Sequence, residues 1–246
     1  ALYQLQFYIM KNEAVICLDT TGTGLHKRGY RPAQVAAPLR ETLAAAMVDI
    51  AGYRGRGDFV DPFCGSGTIA IEAALAAKNR APGIARGFSA EHWDWLPKNI
   101  WADARAAASA REYSGEYCII ASDIDEKAVQ FSRENAKRAG VDEIIRIESA
   151  DAKEFSRLTD RGTIVTNPPY GERMLEKRAA EELLAAFGAA FGKTQNWSAY
   201  ILSPNPNFEQ IFGKKADKLR KLYNGKIKCE LYMYRQPTKK GMEKRQ

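Results

Sequence analysis

The chain has 246 residues, 45% of them hydrophobic and 27% charged, with a formal net charge of +7. These are the proportions of one large globular domain, or one domain plus an appendage, with ample chain for a core. No apolar run approaches the roughly 18 residues of a membrane helix and no secretory signal is visible, so neither a membrane-spanning nor a secreted protein is expected.

Leu2 to Met10 and Ala14 to Asp19 are strand-like runs separated by Lys11-Asn12-Glu13, which predicts a hairpin. Leu25 to Arg31 sets His26, Lys27, Arg28 and Arg31 around Tyr30. Such interleaving either binds phosphates and a base or is a connecting loop with solvated charges, and the residues favour neither. Ala37 to Ala51 predicts a helix with Leu39, Leu43, Met47 and Ile50 on one packing face. Phe59-Val60 ends a short buried strand, and Ile69 to Ala77 is a helix of small and aliphatic residues. Between them lies Asp61-Pro62-Phe63-Cys64-Gly65-Ser66-Gly67-Thr68. Its glycines let the backbone pass close to a ligand, and the helix N-terminus offers free N–H groups, so a nucleotide-type pocket is expected. Gly65 to Ala70 also fits the loose dinucleotide pattern G-x-G-x-x-A, but the ribose-binding acid of that fingerprint should follow roughly 20 residues later and does not. No phosphate-loop motif exists, which argues against an ATPase.

Arg80 to Glu112 interrupts the strand–helix rhythm with Trp93, Trp95, Pro97 and Trp101, followed by an alanine-rich helix. The three tryptophans are read as packing an insert onto the domain, with base stacking the alternative. Tyr117 to Asp123 is the second core strand. Asp125 caps the following helix, Glu126 to Ala139. Ile144 to Ile147 is the third strand, followed by Ser149-Ala150-Asp151-Ala152, where Asp151 either caps a helix or accepts from a ligand. Thr163 to Thr166 is a β-branched buried strand leading into Asn167-Pro168-Pro169-Tyr170. Two prolines there stop both ladder and helix and stiffen the turn. That fixes the Asn167 side chain and the Pro168 carbonyl as acceptors beside the flat face of Tyr170, an arrangement suited to the exocyclic amine of a stacked base.

Arg178 to Phe191 is an amphipathic helix, Trp197 to Leu202 the fifth strand, and Phe208 to Phe212 starts a short helix. Leu219 to Tyr223 and Lys226 to Tyr234 flank the hairpin signal Asn224-Gly225. From Gly213 to Gln246 there are 12 Lys/Arg against 3 Asp/Glu, whereas residues 1–212 hold 25 against 27. The basic end suggests contact with a polyanion such as RNA; for Lys239 to Arg245 a solvated tail is as good a reading. Alternating strands and helices closed by one hairpin predict an α/β fold, a doubly wound, mostly parallel sheet with an antiparallel last strand. Asp61, Asp123, Asp151 and Asn167 then all fall at carboxyl ends of strands, where such sheets bind ligands.

The pair D-P-F-C-G-S-G-T and N-P-P-Y resembles class I S-adenosylmethionine methyltransferases that act on an amino nitrogen of a nucleobase. Asp19-Thr20-Thr21-Gly22, Leu25 through Arg31 and Ala37-Pro38-Leu39-Arg40-Glu41 are more closely similar to THUMP-associated bacterial RNA methylases of the RlmL-like type, which make N2-methylguanine in large-subunit ribosomal RNA. The resemblance runs from about Asp19 to Tyr234. It implies a Rossmann-like methyltransferase with a seven-stranded sheet, preceded by an N-terminal β-hairpin. It implies S-adenosylmethionine as cofactor, held by Asp61, Phe63, Gly65, Gly67, Thr68, Asp123, Ile124, Asp151, Ala152 and Asn167. Within that set Asp123 would take the ribose hydroxyls, Ile124 the adenine face and Asp151 the adenine amine. Asn167, Pro168, Pro169 and Tyr170 would form the catalytic corner, and the helix from Ala37 would lid the cleft.

Residues 1–31 are then expected to be a hairpin and linker left from a THUMP region, residues 32–235 the methyltransferase domain and 236–246 a basic tail. The expected partner is RNA, most simply ribosomal RNA, with no membrane; the chain should be cytoplasmic and a monomer or weak dimer. Four scattered cysteines without a C-x-x-C pair and only two histidines, His26 and His92, argue against any metal. Cys17, Cys118 and Cys229 lie in strand-like runs and are expected in the core, as free thiols in a reducing cytoplasm. Guanine-N2 methylation of transfer RNA, adenine-N6 methylation of DNA, methylation of a protein glutamine, an idle RNA-binding module and a dinucleotide oxidoreductase are the alternatives.

Overall fold

The computed structural model describes residues 1–31, 39–156, 159–171, 174–194 and 196–236, with Met174 and Leu175 described by backbone alone. The expected start of the first helix at Ala37, the Ala37-Pro38 pair and the basic tail beyond Gln236 lie outside the described residues. Among the described residues no helix is long and apolar enough to cross a membrane.

The chain opens with a hairpin of β1 (Gln4–Met10) and β2 (Glu13–Asp19). Met10 pairs with Glu13, so the loop is Lys11-Asn12 alone, and both residues have positive φ (53° and 62°), the backbone of a two-residue primed turn. This two-stranded sheet is exposed on both faces, and Cys17 is exposed with it rather than buried as expected; Cys118, just before Ile119, is exposed too, and of the three only Cys229 is buried. It is tied to the rest through the tryptophan-rich insert. Trp93 donates from Nε1 to the Leu2 carbonyl at 3.1 Å, and its ring stacks with both Tyr3 and Trp95. Trp93 therefore packs on the hairpin and Trp101 stacks on Phe88 within the insert, rather than the tryptophans packing a helix onto the domain as expected, and Trp95 remains largely exposed.

Seven strands form the main sheet: β3 (Asp58–Asp61), β4 (Ile119–Asp123), β5 (Ile145–Ser149), β6 (Gly162–Thr166), β7 (Trp197–Ser203), β8 (Lys218–Asn224) and β9 (Ile227–Tyr234). Their spatial order is β5-β4-β3-β6-β7-β9-β8. The first five in that order are parallel, and β9 runs antiparallel to both its neighbours. Helices α1 (Glu41–Ala51), α2 (Thr68–Ala77) and α4 (Glu126–Ala139) cover one face, and α5 (Met174–Gly192) and α6 (Phe208–Phe212) the other. Helix α3 (Ile100–Ser109) lies in the insert, with no buried residue. Each face buries its own apolar cluster, Phe59 and Val165 pointing one way, Val60 and Ile164 the other, as strand alternation requires.

Two details of the sequence expectation change. Asn224 pairs with Ile227, so the last hairpin turns on Gly225-Lys226, with positive φ (63°) at Gly225 alone, rather than on Asn224-Gly225. In the segment from Leu25 to Arg31, Leu25 and Lys27 are exposed, whereas Arg28, Tyr30 and Arg31 are held by partners in the core. Tyr30 is buried and donates to Glu72 Oε1 at 3.1 Å, Arg28 pairs with Glu72 at 3.4 Å, and Arg31 pairs with Glu41 at 2.6 Å. These cations are about nine-tenths buried and serve the core between the linker, α1 and α2.

Candidate active site

Where the parallel strands end, the connecting loops open a cavity of about 700 Å³. Its position follows from topology, because the strand order reverses on either side of β3 and leaves a crevice there. One wall is the turn after β3. Gly65 has φ 51° and Gly67 φ 77°, and Gly67 sets the start of α2. A Cβ on Gly67 would lie 2.2 Å from Ser132 Oγ of α4, so this glycine permits close helix packing rather than ligand approach. A Cβ on Gly65 would meet nothing within 4 Å, and its amide points to Asp123, donating to Oδ2 at 2.9 Å.

Asp61 lies beneath the floor. Its Oδ1 accepts from Thr166 Oγ1 at 2.6 Å and more weakly from the Phe63 amide at 3.4 Å, while Oδ2 is buried without a partner. Thr166 immediately precedes Asn167, so this hydrogen bond ties the glycine turn to the Asn-Pro-Pro-Tyr turn. Asn167 Oδ1 is likewise buried without a partner. A buried acceptor left unpaired costs about 1–3 kcal/mol, so a fold that keeps one at a cavity wall holds it ready for a donor. Pro168 is buried and Pro169 exposed. Tyr170 lines the cavity, and its hydroxyl accepts from Asn224 Nδ2 at 3.5 Å.

Asp123 accepts two backbone amides, from Gly65 and, on Oδ1, from Asp125 at 3.0 Å. Asp125 caps α4 by accepting from the Lys127 amide, as expected. Asp151 Oδ1 accepts from the Lys153 amide at 2.9 Å and so caps a short 3-10 turn, and the residue lines the cavity. Of the expected residues, Phe63, Gly65, Asp123, Ile124, Asp151, Ala152 and Asn167 to Tyr170 come together around one space. Asp61, Gly67 and Thr68 do not line it: Thr68 is buried, with Oγ1 3.0 Å from Ser66 Oγ and 3.4 Å from Arg31. Helix α1, expected as a lid, packs on α2 instead and contributes no lining residue.

Sequence reasoning missed the opposite wall, Glu176, Ala179 and Leu183 of α5. Their i, i+3, i+7 spacing was the available signal. The helix starts at Met174, earlier than the apolar pattern from Arg178 indicates. With Asp123 and Asp151 against Lys153, the lining is acidic and suits a cation.

Burial pushes the Asp61 carboxyl up to about 7. Below the ordinary carboxylate range both folded and unfolded chains carry the proton. From there to about pH 7 only the folded chain keeps it, so stability falls as pH rises, by about 4 kcal/mol once pH passes 7. Asp61→Asn removes this term. Denaturant unfolding at pH 5 and pH 8 should show the wild type losing about 2–3 kcal/mol relative to the variant, the rest being lost already below pH 5; parallel profiles would contradict the buried, protonated state.

A family model described as RMKL-like, methyltransferase domain (UPF0020) matches residues 28–233. The chain is 48% identical over 235 residues to YpsC of Bacillus subtilis, provisionally named an RNA methyltransferase, covering 95% of this chain and 61% of that protein. It is 40% identical over 247 residues to the ribosomal RNA large subunit methyltransferase K/L of Syntrophotalea carbinolica, covering 93% of this chain and 34% of that one. Among solved structures, a Listeria monocytogenes protein provisionally described as an N6-adenine-specific DNA methylase superposes with TM-score 0.91 at 43% identity, over 96% of this chain and 62% of the other. SMU.472, provisionally described as a methyltransferase and complexed with SAH, gives 0.88 at 37% identity with the same coverage. The chain thus spans about three fifths of YpsC and of both structures, and a third of the K/L enzyme.

Proposed function

We propose, from the premise that the chain belongs to the UPF0020 family of RMKL-like methyltransferase domains, that it methylates the exocyclic amine of an RNA base with S-adenosylmethionine, and that the base is guanine, at N2, in large-subunit ribosomal RNA. The observation that carries this is Asn167 Oδ1, an acceptor buried without a partner at the cavity wall beside Tyr170.

The residues fit the cofactor. An acidic cavity suits a cation, and SAH occupies a relative of 37% identity. Gly65 and Asp123 would hold the amino-acid and ribose parts, Ile124 would cover the adenine and Asp151 accept its amine. Asp61, below the floor and bonded to Thr166, would hold the two turns together beneath the cofactor. When bound, S-adenosylmethionine supplies an electrophilic methyl carbon on a positively charged sulfur. The protein's own part is alignment. Asn167 Oδ1 and the Pro168 carbonyl accept the two amine hydrogens and turn the nitrogen lone pair toward the cavity, while Tyr170 stacks on the extruded base. No strong base is needed, because the amine proton becomes acidic only as the nitrogen gains its methyl, and it then leaves to solvent water from its hydrogen bond to the Asn167 or Pro168 oxygen.

Ribosomal RNA as substrate is supported by the K/L relative, and RNA by YpsC. The Listeria protein's description supports the rival, adenine N6 in DNA; both amines suit the same corner. Incubating the chain with labelled S-adenosylmethionine and unmodified ribosomal RNA, transfer RNA or DNA, then digesting to nucleosides, discriminates them. N2-methylguanosine from ribosomal RNA is the expected product, whereas N6-methyldeoxyadenosine from DNA or label on protein would overturn it.

A further inference from the structure

The last hairpin, β8–β9, carries a feature that the cavity does not use. Strand β8 forms one outer edge of the sheet, and because β9 opposes both neighbours, β8 runs parallel to β7 and ends at the cavity side. Its last residue, Asn224, reaches the Tyr170 hydroxyl. Between Gly213 and Gln236 eight Lys/Arg stand against two Asp/Glu, opposite in sign to the cavity lining. Alternation puts Leu219, Lys221 and Tyr223 on one face of β8, and the register sets Lys228 directly across from Tyr223. Tyr223 is 55% exposed and Leu219 48%, with Lys221 Nζ 5.4 Å from the Tyr223 ring centroid. The acid on this face is Glu230, across from Lys221.

Charged residues on an edge strand ordinarily serve to block pairing with other chains. That accounts for Lys218 and Arg220, which face the other way. It does not account for an exposed tyrosine under a lysine, next to an exposed leucine, at the end of the strand that touches the catalytic corner. Cation and aromatic face interleaved along an extended surface are what a single nucleic-acid strand requires: ammonium groups for phosphates and a plate for a base.

We propose that the β8–β9 hairpin, through Lys221, Tyr223 and Lys228, is the surface that holds single-stranded RNA flanking the target nucleotide and feeds the target base to Tyr170. This rests on the RNA reading above. The division of charge supports it, since a polyanion is drawn to the hairpin and repelled from the acidic cofactor side.

The test uses the full chain and a fluorescein-labelled single-stranded RNA of mixed sequence, about 16 nucleotides long, titrated by anisotropy from about 50 to 200 mM salt. The double variant Lys221→Glu, Lys228→Glu should weaken binding at least about tenfold and flatten the salt slope by about 0.7 for each phosphate no longer neutralised. Tyr223→Ala should weaken binding by about tenfold with the slope unchanged, because stacking releases no counterions. Both variants should keep the wild-type heat of titration with S-adenosylmethionine. Wild-type RNA affinity and slope in both variants would overturn the hairpin assignment, as would a wild-type preference for duplex RNA of equal length. If the wild type methylates RNA while the variants bind normally, only this proposal fails. If the wild type binds no RNA, the RNA reading falls with it.

Discussion

Asn167→Ala is expected to lower methyl transfer at least about a hundredfold, the scale at which misplacing a reacting group by about an ångström acts. Binding of S-adenosylmethionine, read by titration calorimetry, should stay within about threefold. The split follows from where the side chain sits. Its Oδ1 has no protein partner, so nothing in the fold depends on it directly. The turn that presents it is held by other means: two prolines, and Thr166 bonded to Asp61. Stability gives a second readout. Removing an unpaired buried acceptor recovers about 1–3 kcal/mol of desolvation and loses a similar amount to the small void, so unfolding should move little. A loss of several kcal/mol would make Asn167 a structural residue, and undiminished turnover would remove it from the chemistry.

The fold is legible in the sequence because local signals and long-range order agree. Thr163 to Thr166 could be only a buried strand, and Asn167-Pro168-Pro169 could only end it; β6 stops at Thr166. The strand tips are legible because a carboxylate after an apolar run has few other places to go, and Asp123 and Asp151 both reach the cavity. What escapes is anything decided by a partner distant in sequence. Arg28 and Arg31 read equally as ligand groups or as solvated loop charges until Glu72 and Glu41 are brought against them. Thr68 belongs to the motif as written, yet its hydroxyl is taken by Ser66 and Arg31. Cys17 sits in a run as apolar as any core strand, but β1 and β2 pair only with each other and leave it exposed. The wall from α5 escapes because a helix can start before its apolar stripe does.

The two halves of the site should fail differently. Asp123→Ala is expected to weaken S-adenosylmethionine binding by more than about a hundredfold, the product of two charge-assisted hydrogen bonds worth about 1.5–3 kcal/mol each. The carboxylate does more than face a ligand. It gathers the Gly65 amide at 2.9 Å and the Asp125 amide at 3.0 Å, so it holds the glycine turn and the start of α4 in one geometry. Without it the Gly65 turn, positive in φ and unconstrained by any side chain, loses its anchor as well as the ribose its acceptor. Asp123→Asn keeps one acceptor and should fall between the two. At saturating cofactor the turnover of Asp123→Ala should recover to within about tenfold of wild type, because Asn167 and Tyr170 stand on a separate turn. Measuring KM for S-adenosylmethionine and kcat in both variants decides the matter. An unchanged KM in Asp123→Ala would mean the cofactor does not lie across this strand tip, and the acidic cavity would need another occupant.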